Sequence, residues 1–376
     1  MGALSLPGIS AVVLSVFGLV FICSGLVVNC LQLASLVFWP LSRKFYRKVN
    51  SLLGYSLHCH LVTLLAWWSG SECTLFTKRD SLGKIGKETA IVIFNHTFEI
   101  DLFCLWILYD RYGILGTFKV MAKKELLWVP VIGWTTYFME SVFCERKWEQ
   151  DQVGLVKSLS RLADFPEPFG FAVFCEGTRF TQEKHRVSME VARAKGLPRL
   201  KYHLLPRTKG FAVAVRCLRG RASAVYDVTL NFRGRRYPTL LGLIRREKYE
   251  ADMCFRRIPL EEIPLEEQEI APWLHRLYQE KDALQEFYNQ RGTFPGDQVK
   301  LGRRPWAPLH FSLWAVVILF SLFKLAVGIF LSGSPLLILI FCGFIGGSFW
   351  GVHRLVGVSK IENASAYGNQ EFQKRE

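Results

Sequence analysis

The stretch TAIVIFNHTFEID, residues 89–101, sets the fold class. Its first six residues are almost wholly apolar and rich in β-branched side chains, the length and chemistry of a strand buried on both faces. The run then breaks into Asn95, His96, Glu99 and Asp101, and residues 99–110 resume with helical spacing. A buried strand that delivers polar residues into a turn and then a helix opens an α/β unit. On an ideal helix a five-residue offset is about 500°, so two helical side chains so spaced lie about 140° apart and do not converge. His96 and Asp101 meet if the histidine sits in the turn leaving the strand and the aspartate in the first helical turn. There the carboxylate would accept a bond from one ring nitrogen and leave the other to take a proton. The plainer alternative makes Asp101 a complement to a helix N-terminus and His96 a turn residue. On the pair alone the plainer reading is favoured, since five-residue His/Asp spacings arise by chance.

Outward from this stretch, short β-branched or aromatic runs alternate with longer amphipathic ones. Strands are predicted at 72–77, 89–94, 141–144, 169–176 and 223–232, and helices at 99–110, 148–164, 188–196 and 268–290. In the last helix Trp273, Leu274, Leu277, Leu284, Phe287 and Tyr288 share one stripe, which reads as core. The alternation predicts an α/β domain over residues 71–305, a mixed and largely buried sheet flanked by helices. Neither an internal repeat nor a low-complexity linker interrupts it.

The ends are different. Residues 1–42 carry no charged side chain, and their apolar run exceeds the roughly 20 residues that cross the hydrocarbon. A cleaved signal peptide has a core of only about 7–15 residues after a basic start, which this run does not match. Residues 51–68 carry two histidines and two tryptophans and suit a helix lying on or dipping into the membrane. A second apolar block, from about Pro308 to Gly351, is broken by Lys324 and a turn-like SGSP at 332–335, and reads as a transmembrane hairpin. The chain thus divides into an N-terminal anchor (1–70), the α/β domain (71–305), a C-terminal hairpin (306–352) and a tail (353–376).

Of the net charge of +15, nearly all lies between the apolar ends, where 42 basic face 29 acidic side chains over residues 43–305. Such a basic middle attracts anionic lipid and polyphosphate ligands, and anchors at both ends argue against nucleic acid. Arg43, Lys44, Arg47 and Lys48 follow the first span, Arg303 and Arg304 precede the second, and Arg354 follows the third. The positive-inside rule places all three clusters, and with them the α/β domain, in the cytosol. Ten scattered cysteines without a CxxC pair fit a reducing compartment. That placement also keeps the NHT sequon at 95–97 away from glycosylation. HCH at 58–60 is too compact for a tetrahedral metal site without partners elsewhere, so no metal is expected.

GxSxG, HExxH, Walker A and GxGxxG signatures are absent. Three other blocks carry chemistry. FCEGTRF at 174–180 ends a strand in a glycine turn bearing Arg179, where backbone N–H groups and a guanidinium can hold a phosphate. SVFCERKW places Arg146 and Lys147 just beyond another strand, and AKKELLWVPVIGW at 122–134 joins Lys123 and Lys124 to a Trp/Pro-rich apolar segment suited to a membrane surface. Taken singly, each also reads as a solvated turn or basic face.

Together the blocks resemble the glycerolipid acyltransferases. NHTFEID is similar to their NHxxxxD first motif, FCERK to the arginine-bearing second, FCEGTR to the FPEGTR third and HLLPRTKGF (203–211) to the proline-containing fourth. MEVARAKGLP, the C-terminal hydrophobic pair and SAYGNQEF extend the likeness to the animal 1-acylglycerol-3-phosphate acyltransferases over essentially the whole chain. Cys175 departs from the third motif's proline, and Glu140 stands where the second often has glycine. The resemblance implies a membrane-anchored acyltransferase-type domain that moves an acyl group from acyl-CoA to the 2-hydroxyl of lysophosphatidic acid, with acyl-CoA as co-substrate and no cofactor. His96 would be the base and Asp101 its partner, while Glu176, Gly177, Thr178 and Arg179, with Arg146, Lys123 and Lys124, would bind substrate. It also implies a multi-pass protein of the endoplasmic reticulum membrane, with Golgi and nuclear envelope as further locations. Another lysophospholipid acceptor, a non-catalytic membrane scaffold and a transporter are the alternative readings.

Overall fold

The computed structural model describes residues 7–145, 148–234 and 236–359. The chain begins with α1 (Pro7–Ala34) and α2 (Arg43–Val62), which continues through a π-helical turn at Thr63–Trp68. Then come β1 (Glu72–Thr77), the short α3 (Arg79–Leu82), β2 (Thr89–Phe94), α4 (Asp101–Arg111) and β3 (Lys119–Lys123). A 3-10 turn (Lys124–Trp128) leads to α5 (Ile132–Phe138), β4 (Val142–Cys144), α6 (Trp148–Leu162), β5 (Gly170–Val173), α7 (Gln182–Ala194) and α8 (Thr208–Leu218). The domain closes with β6 (Ala222–Phe232), α9 (Leu240–Ile244), β7 (Glu250–Pro259), α10 (Glu267–Arg291) and β8 (Asp297–Lys300), before α11 (Trp306–Ser332) and α12 (Pro335–Ser359).

The strands form one mixed sheet in the order β4-β3-β5-β2-β6-β7-β1-β8. From β4 to β6 every neighbouring pair is parallel. The β6–β7 and β1–β8 pairs are antiparallel, and β7 runs parallel to β1. Because side chains alternate along a strand, β2 feeds two cores. Ala90, Val92 and Phe94 join residues of α2 and α4 on one face, and Ile91 and Ile93 join α6, α8 and α10 on the other. This explains why TAIVIF reads as a continuous apolar run.

The predicted strands are present, but 169–176 is strand only to Val173, and β3, β7 and β8 are additional. The helix predicted at 188–196 is the end of a longer one starting at Gln182, whose N-cap Thr181 accepts a bond from Lys184 N. On α10 most of the predicted stripe is core, with Leu274, Leu277 and Tyr288 buried, whereas Phe287 is exposed. Lys281, fully buried on the same helix, fastens it to β6 by donating to Asp227 Oδ1 at 2.7 Å, Val228 O at 2.8 Å and Thr229 Oγ1 at 3.0 Å.

Three helical stretches among the described residues are long and apolar enough to cross a membrane: Ser15–Phe38, Arg43–Trp68 and Trp306–Ser332. The second includes residues 51–68 and is held to the α/β domain at both ends. Arg47 bonds Glu140 and Asp164 near its start, and Trp68 Nε1 donates to Ile244 O at 3.0 Å near its end. A helix tied at both ends to one side of a domain runs along that domain. Its two histidines are accordingly buried, His58 against Trp106 and His60 against Phe21 and Phe311. Arg47, which the sequence offers as a loop charge, is instead consumed by this tether. α11 and α12 follow one another through the turn at Gly333, but of the two only α11 is a candidate span among the described residues, the apolar stretch of α12 there, Pro335–Ser348, being shorter. Leu313, Val316, Phe320, Phe323 and Leu331 of α11 are exposed, as on a lipid-facing helix. Lys324, which breaks this apolar block, is exposed on α11 and lies over the Phe320 ring at 5.7 Å.

Candidate active site

The polar residues of NHTFEID emerge where the chain divides. From β2 it passes through α4 to β3, and from the adjacent β5 through α7 and α8 to β6, so the two connections leave in opposite directions. Ligands of open α/β sheets bind in the crevice made by such a divergence, at the carboxyl ends of the strands.

Asn95 makes the exit from β2 possible. Its buried side chain donates from Nδ2 to Leu230 O at 3.0 Å and accepts at Oδ1 from Leu230 N at 2.8 Å. It thereby extends the ladder onto β6 for one more pair. The backbone of His96 is then free to turn, its N–H meeting Glu176 Oε1 at 3.3 Å and its carbonyl accepting from Phe180 N at 2.7 Å. The first and third sequence blocks are thus joined through the histidine peptide.

His96 and Asp101 meet, with Nδ1 3.2 Å from Oδ2. The same carboxylate oxygen accepts from the N–H groups of Thr97 at 2.6 Å and Phe98 at 2.7 Å. Asp101 therefore satisfies donors at the start of α4 and orients the imidazole at once, so both sequence readings describe one carboxylate. An ionised carboxylate only accepts, which assigns the proton to Nδ1 and the lone pair to Nε2. The Asp101 side chain is 1% exposed and that of His96 25%, so the ring bridges a dry anchor and an open crevice. Phe174 backs it, with ring centroids 4.6 Å apart.

Beside it, β5 stops because Phe174 O accepts from Gly177 N at 2.9 Å, closing a tight turn. Gly177 has φ +70°, a conformation that favours glycine, and a Cβ there would also displace the Arg207 side chain, whose Nε would lie 2.7 Å away. Cys175, in place of the third motif's proline, is buried, and burial pushes its thiol up to about 12. Its carbonyl accepts from Arg207 N at 2.7 Å. Lys184 Nζ donates to Thr178 Oγ1 at 2.8 Å and to Arg179 O at 3.3 Å. Burial pushes the Tyr237 phenol up against the pull of the nearby Arg179 guanidinium, and its hydroxyl donates to Thr97 O at 3.5 Å. Arg207, Lys184 and Tyr237 do not stand out in the sequence as site residues; only the first lies in a motif that carried the signal, HLLPRTKGF.

Glu176 lies beneath this turn. It is 3% exposed, and its second oxygen accepts from Leu204 N at 3.3 Å, so it braces the backbone of His96 and of residue 204. Burial pushes its carboxyl from 4.5 up to about 8 against the pull of those two N–H groups. The folded value exceeds the unfolded one, so the folded chain holds an extra proton between them and loses stability as pH rises across that window. Glu176→Gln is expected to remove that slope, measured as unfolding midpoints in detergent from pH 5 to 9. Parallel pH profiles for the two proteins would show that Glu176 titrates alike in both states.

Lys123 ends β3 and Lys124 opens the 3-10 turn after it, beyond β5 from β2, about 10 Å from it at sheet spacing. Lys124 is ion-paired with Glu145 of the second block. Arg146 and Lys147 lie outside the described residues. Among the described residues no three His, Cys, Asp or Glu side chains are grouped to hold a metal.

The chain is similar to known proteins over its whole length. The Acyltransferase family model matches residues 75–233, and the Acyltransferase C-terminus model matches residues 242–314. The chain is 60% identical over 376 residues to 1-acyl-sn-glycerol-3-phosphate acyltransferase gamma of Homo sapiens, covering 100% of both chains. It is 52% identical over 360 residues to the delta enzyme of Homo sapiens, covering 96% of this chain and 95% of that one. A crystal structure of the 1-acyl-sn-glycerophosphate (LPA) acyltransferase PlsC from Thermotoga maritima aligns at 16% identity and a TM-score of 0.42, covering 74% of this chain and 98% of that one.

Proposed function

The chain belongs to the 1-acyl-sn-glycerol-3-phosphate acyltransferase family, and from that premise we propose that it acylates the 2-hydroxyl of lysophosphatidic acid with acyl-CoA, giving phosphatidic acid and free CoA. The observation that carries the reading is the His96–Asp101 pair set against the Gly177–Arg179 turn at adjoining strand ends. The lipid hydroxyl gives its proton to His96 Nε2 as its oxygen attacks the thioester carbonyl carbon. Asp101 stabilises the imidazolium, and the collapsing tetrahedral intermediate expels the CoA thiolate, which takes the proton back from the ring. Direct attack needs no covalent acyl-enzyme, consistent with the buried, poorly ionised Cys175.

Arg179, presented by the turn that Gly177 makes possible, grips the acceptor phosphate with the hydroxyl of Thr178, and Arg146, Lys123 and Lys124 supply positive charge for it or for the CoA phosphates. Charge-assisted bonds to one phosphate contribute about 1.5–3 kcal/mol. Arg179→Ala is therefore expected to raise the acceptor KM about 10- to 100-fold with a smaller change in kcat. Steady-state kinetics at saturating acyl-CoA checks this, and a fall in kcat at constant KM would move Arg179 out of the phosphate site. The exposed charges at 43–44, 48 and 303 favour a cytosolic face for the domain, and we place the enzyme in the endoplasmic reticulum membrane. Microsomes containing the chain, given labelled oleoyl-CoA and a panel of lysolipids, test the assignment. Transfer to lysophosphatidic acid above all others supports it, and preference for lysophosphatidylinositol or a lysocardiolipin overturns the acceptor.

A further inference from the structure

The segment between β3 and β4 has a feature that the chemistry of the site does not use. Val131 has φ 68° and ψ −66°, and Ile132 N bonds Pro130 O at 2.8 Å. This is a γ-turn of the rare strained kind, on a β-branched residue for which a positive φ is an outlier. The turn drives the fully buried Val131 side chain into the space left by Gly25 on α1. One turn further along both helices Asn29 Nδ2 donates to Thr135 Oγ1 at 2.8 Å, and Thr135 Oγ1 in turn reaches Gln32 Oε1 at 3.2 Å. These contacts span about 10 Å of the α1 axis, so α5 is clamped to α1 along its length.

The clamp divides α5 into two faces. Val131, Thr135 and Phe138 turn inward, while Trp134 and Tyr137, three residues apart on one surface of the helix, are 50% and 59% exposed. Trp128, at the end of the preceding 3-10 turn, is 85% exposed. At the same level α1 exposes Leu26, Val27 and Leu31, an apolar surface of the kind that lipid covers on a membrane-crossing helix. Lipid that covers α1 at Gly25–Gln32 reaches the outer face of the helix packed on it. Amphipathic aromatic rings beside lysines are the side chains favoured at the headgroup level.

We propose that residues 124–139 form an interfacial membrane-docking element of the catalytic domain, with Trp128, Trp134 and Tyr137 seated in the headgroup region of a phospholipid bilayer. The element follows β3 directly, and β3 neighbours β5, the strand that ends in the Gly177–Arg179 turn. Docking there sets the height of the phosphate-binding turn above the lipid from which a membrane-borne acceptor is drawn.

The test uses the full chain in nanodiscs containing phosphatidylcholine with a diazirine in the upper acyl chain. Irradiation followed by peptide mapping should place adducts on the 124–139 peptide as well as on α1 and α11. Labelling of α1 and α11 with the 124–139 peptide no higher than α10 overturns the proposal. This readout is independent of which lysolipid is acylated. A second measurement, resting on the proposed acceptor, compares W128S/W134S/Y137S with the parent. The apparent KM for bilayer-embedded lysophosphatidic acid should rise about fivefold or more, with turnover of a short-chain analogue in micelles unchanged. An unchanged KM in both media rejects the positioning role.

Discussion

His96→Ala is expected to lower kcat for acyl transfer by about 10²–10⁴-fold, the usual contribution of a positioned general base. The KM values for both substrates should move little, because the imidazole acts on a proton in transit and holds neither the phosphate nor the thioester in the ground state. The backbone bonds of residue 96, to Glu176 and Phe180, do not depend on its side chain, so the fold should survive, checked by an unchanged unfolding midpoint. Asp101→Asn makes a sharper comparison. Its amide oxygen can still accept from Thr97 N and Phe98 N, which keeps the start of α4, but a neutral group no longer stabilises the imidazolium. A kcat loss approaching that of His96→Ala with stability nearly retained is the expected outcome. A His96→Ala enzyme that turns over within a few-fold of the parent ends the general-base mechanism.

What the sequence discloses and what it hides follow from the range of the interactions involved. β2, the entry to α4 and the glycine turn at 177 are legible because their determinants are local: a β-branched run, a breaker, a positive-φ position. His96 and Asp101 are five residues apart, so a single local turn decides whether they meet. β7 is not legible, because EADMCFRRIP looks too charged for a strand between two others. Its arginines are accommodated by acids from elsewhere, Arg256 on Asp227 and Arg257 on Glu88, at 2.6 to 2.8 Å. The short β8 is exposed along most of its length and lacks an apolar signal. The double role of Asn95 depends on Leu230, distant in sequence, and the strained turn at Val131 on Gly25 of another helix. In each case the missing information is a partner that only the folded chain supplies.

Arg47→Ala should destabilise the fold by about 3–5 kcal/mol, the cost of leaving a buried ion pair with one partner. The guanidinium is 2% exposed and fully used. Nε donates to Glu140 Oε2 at 2.7 Å, Nη2 to Glu140 Oε1 at 3.2 Å and to Arg161 O at 2.7 Å, and Nη1 to Asp164 Oδ1 at 2.8 Å and to Asp164 O at 3.1 Å. Glu140 occupies φ +59°, a backbone state that costs an L residue about 1–2 kcal/mol and that glycine adopts freely. Glycine, which the resemblance leads one to expect here, would take that conformation freely, and the bonds from Arg47 hold the glutamate in it. The two substitutions should therefore couple. In the Arg47→Ala background, Glu140→Gly removes both the strained side chain and the stranded carboxylate, and should recover about 1–2 kcal/mol. At about 2–4 °C per kcal/mol for a domain of this size, thermal unfolding in detergent resolves both the loss and the recovery. A double variant no more stable than Arg47→Ala would mean that the glutamate is not strained and that the arginine acts through Asp164 and Arg161 alone. Recovery would instead show α2 bound to the approach to β4 through one carboxylate, tying the membrane-side helix to the strand that leads into the second motif.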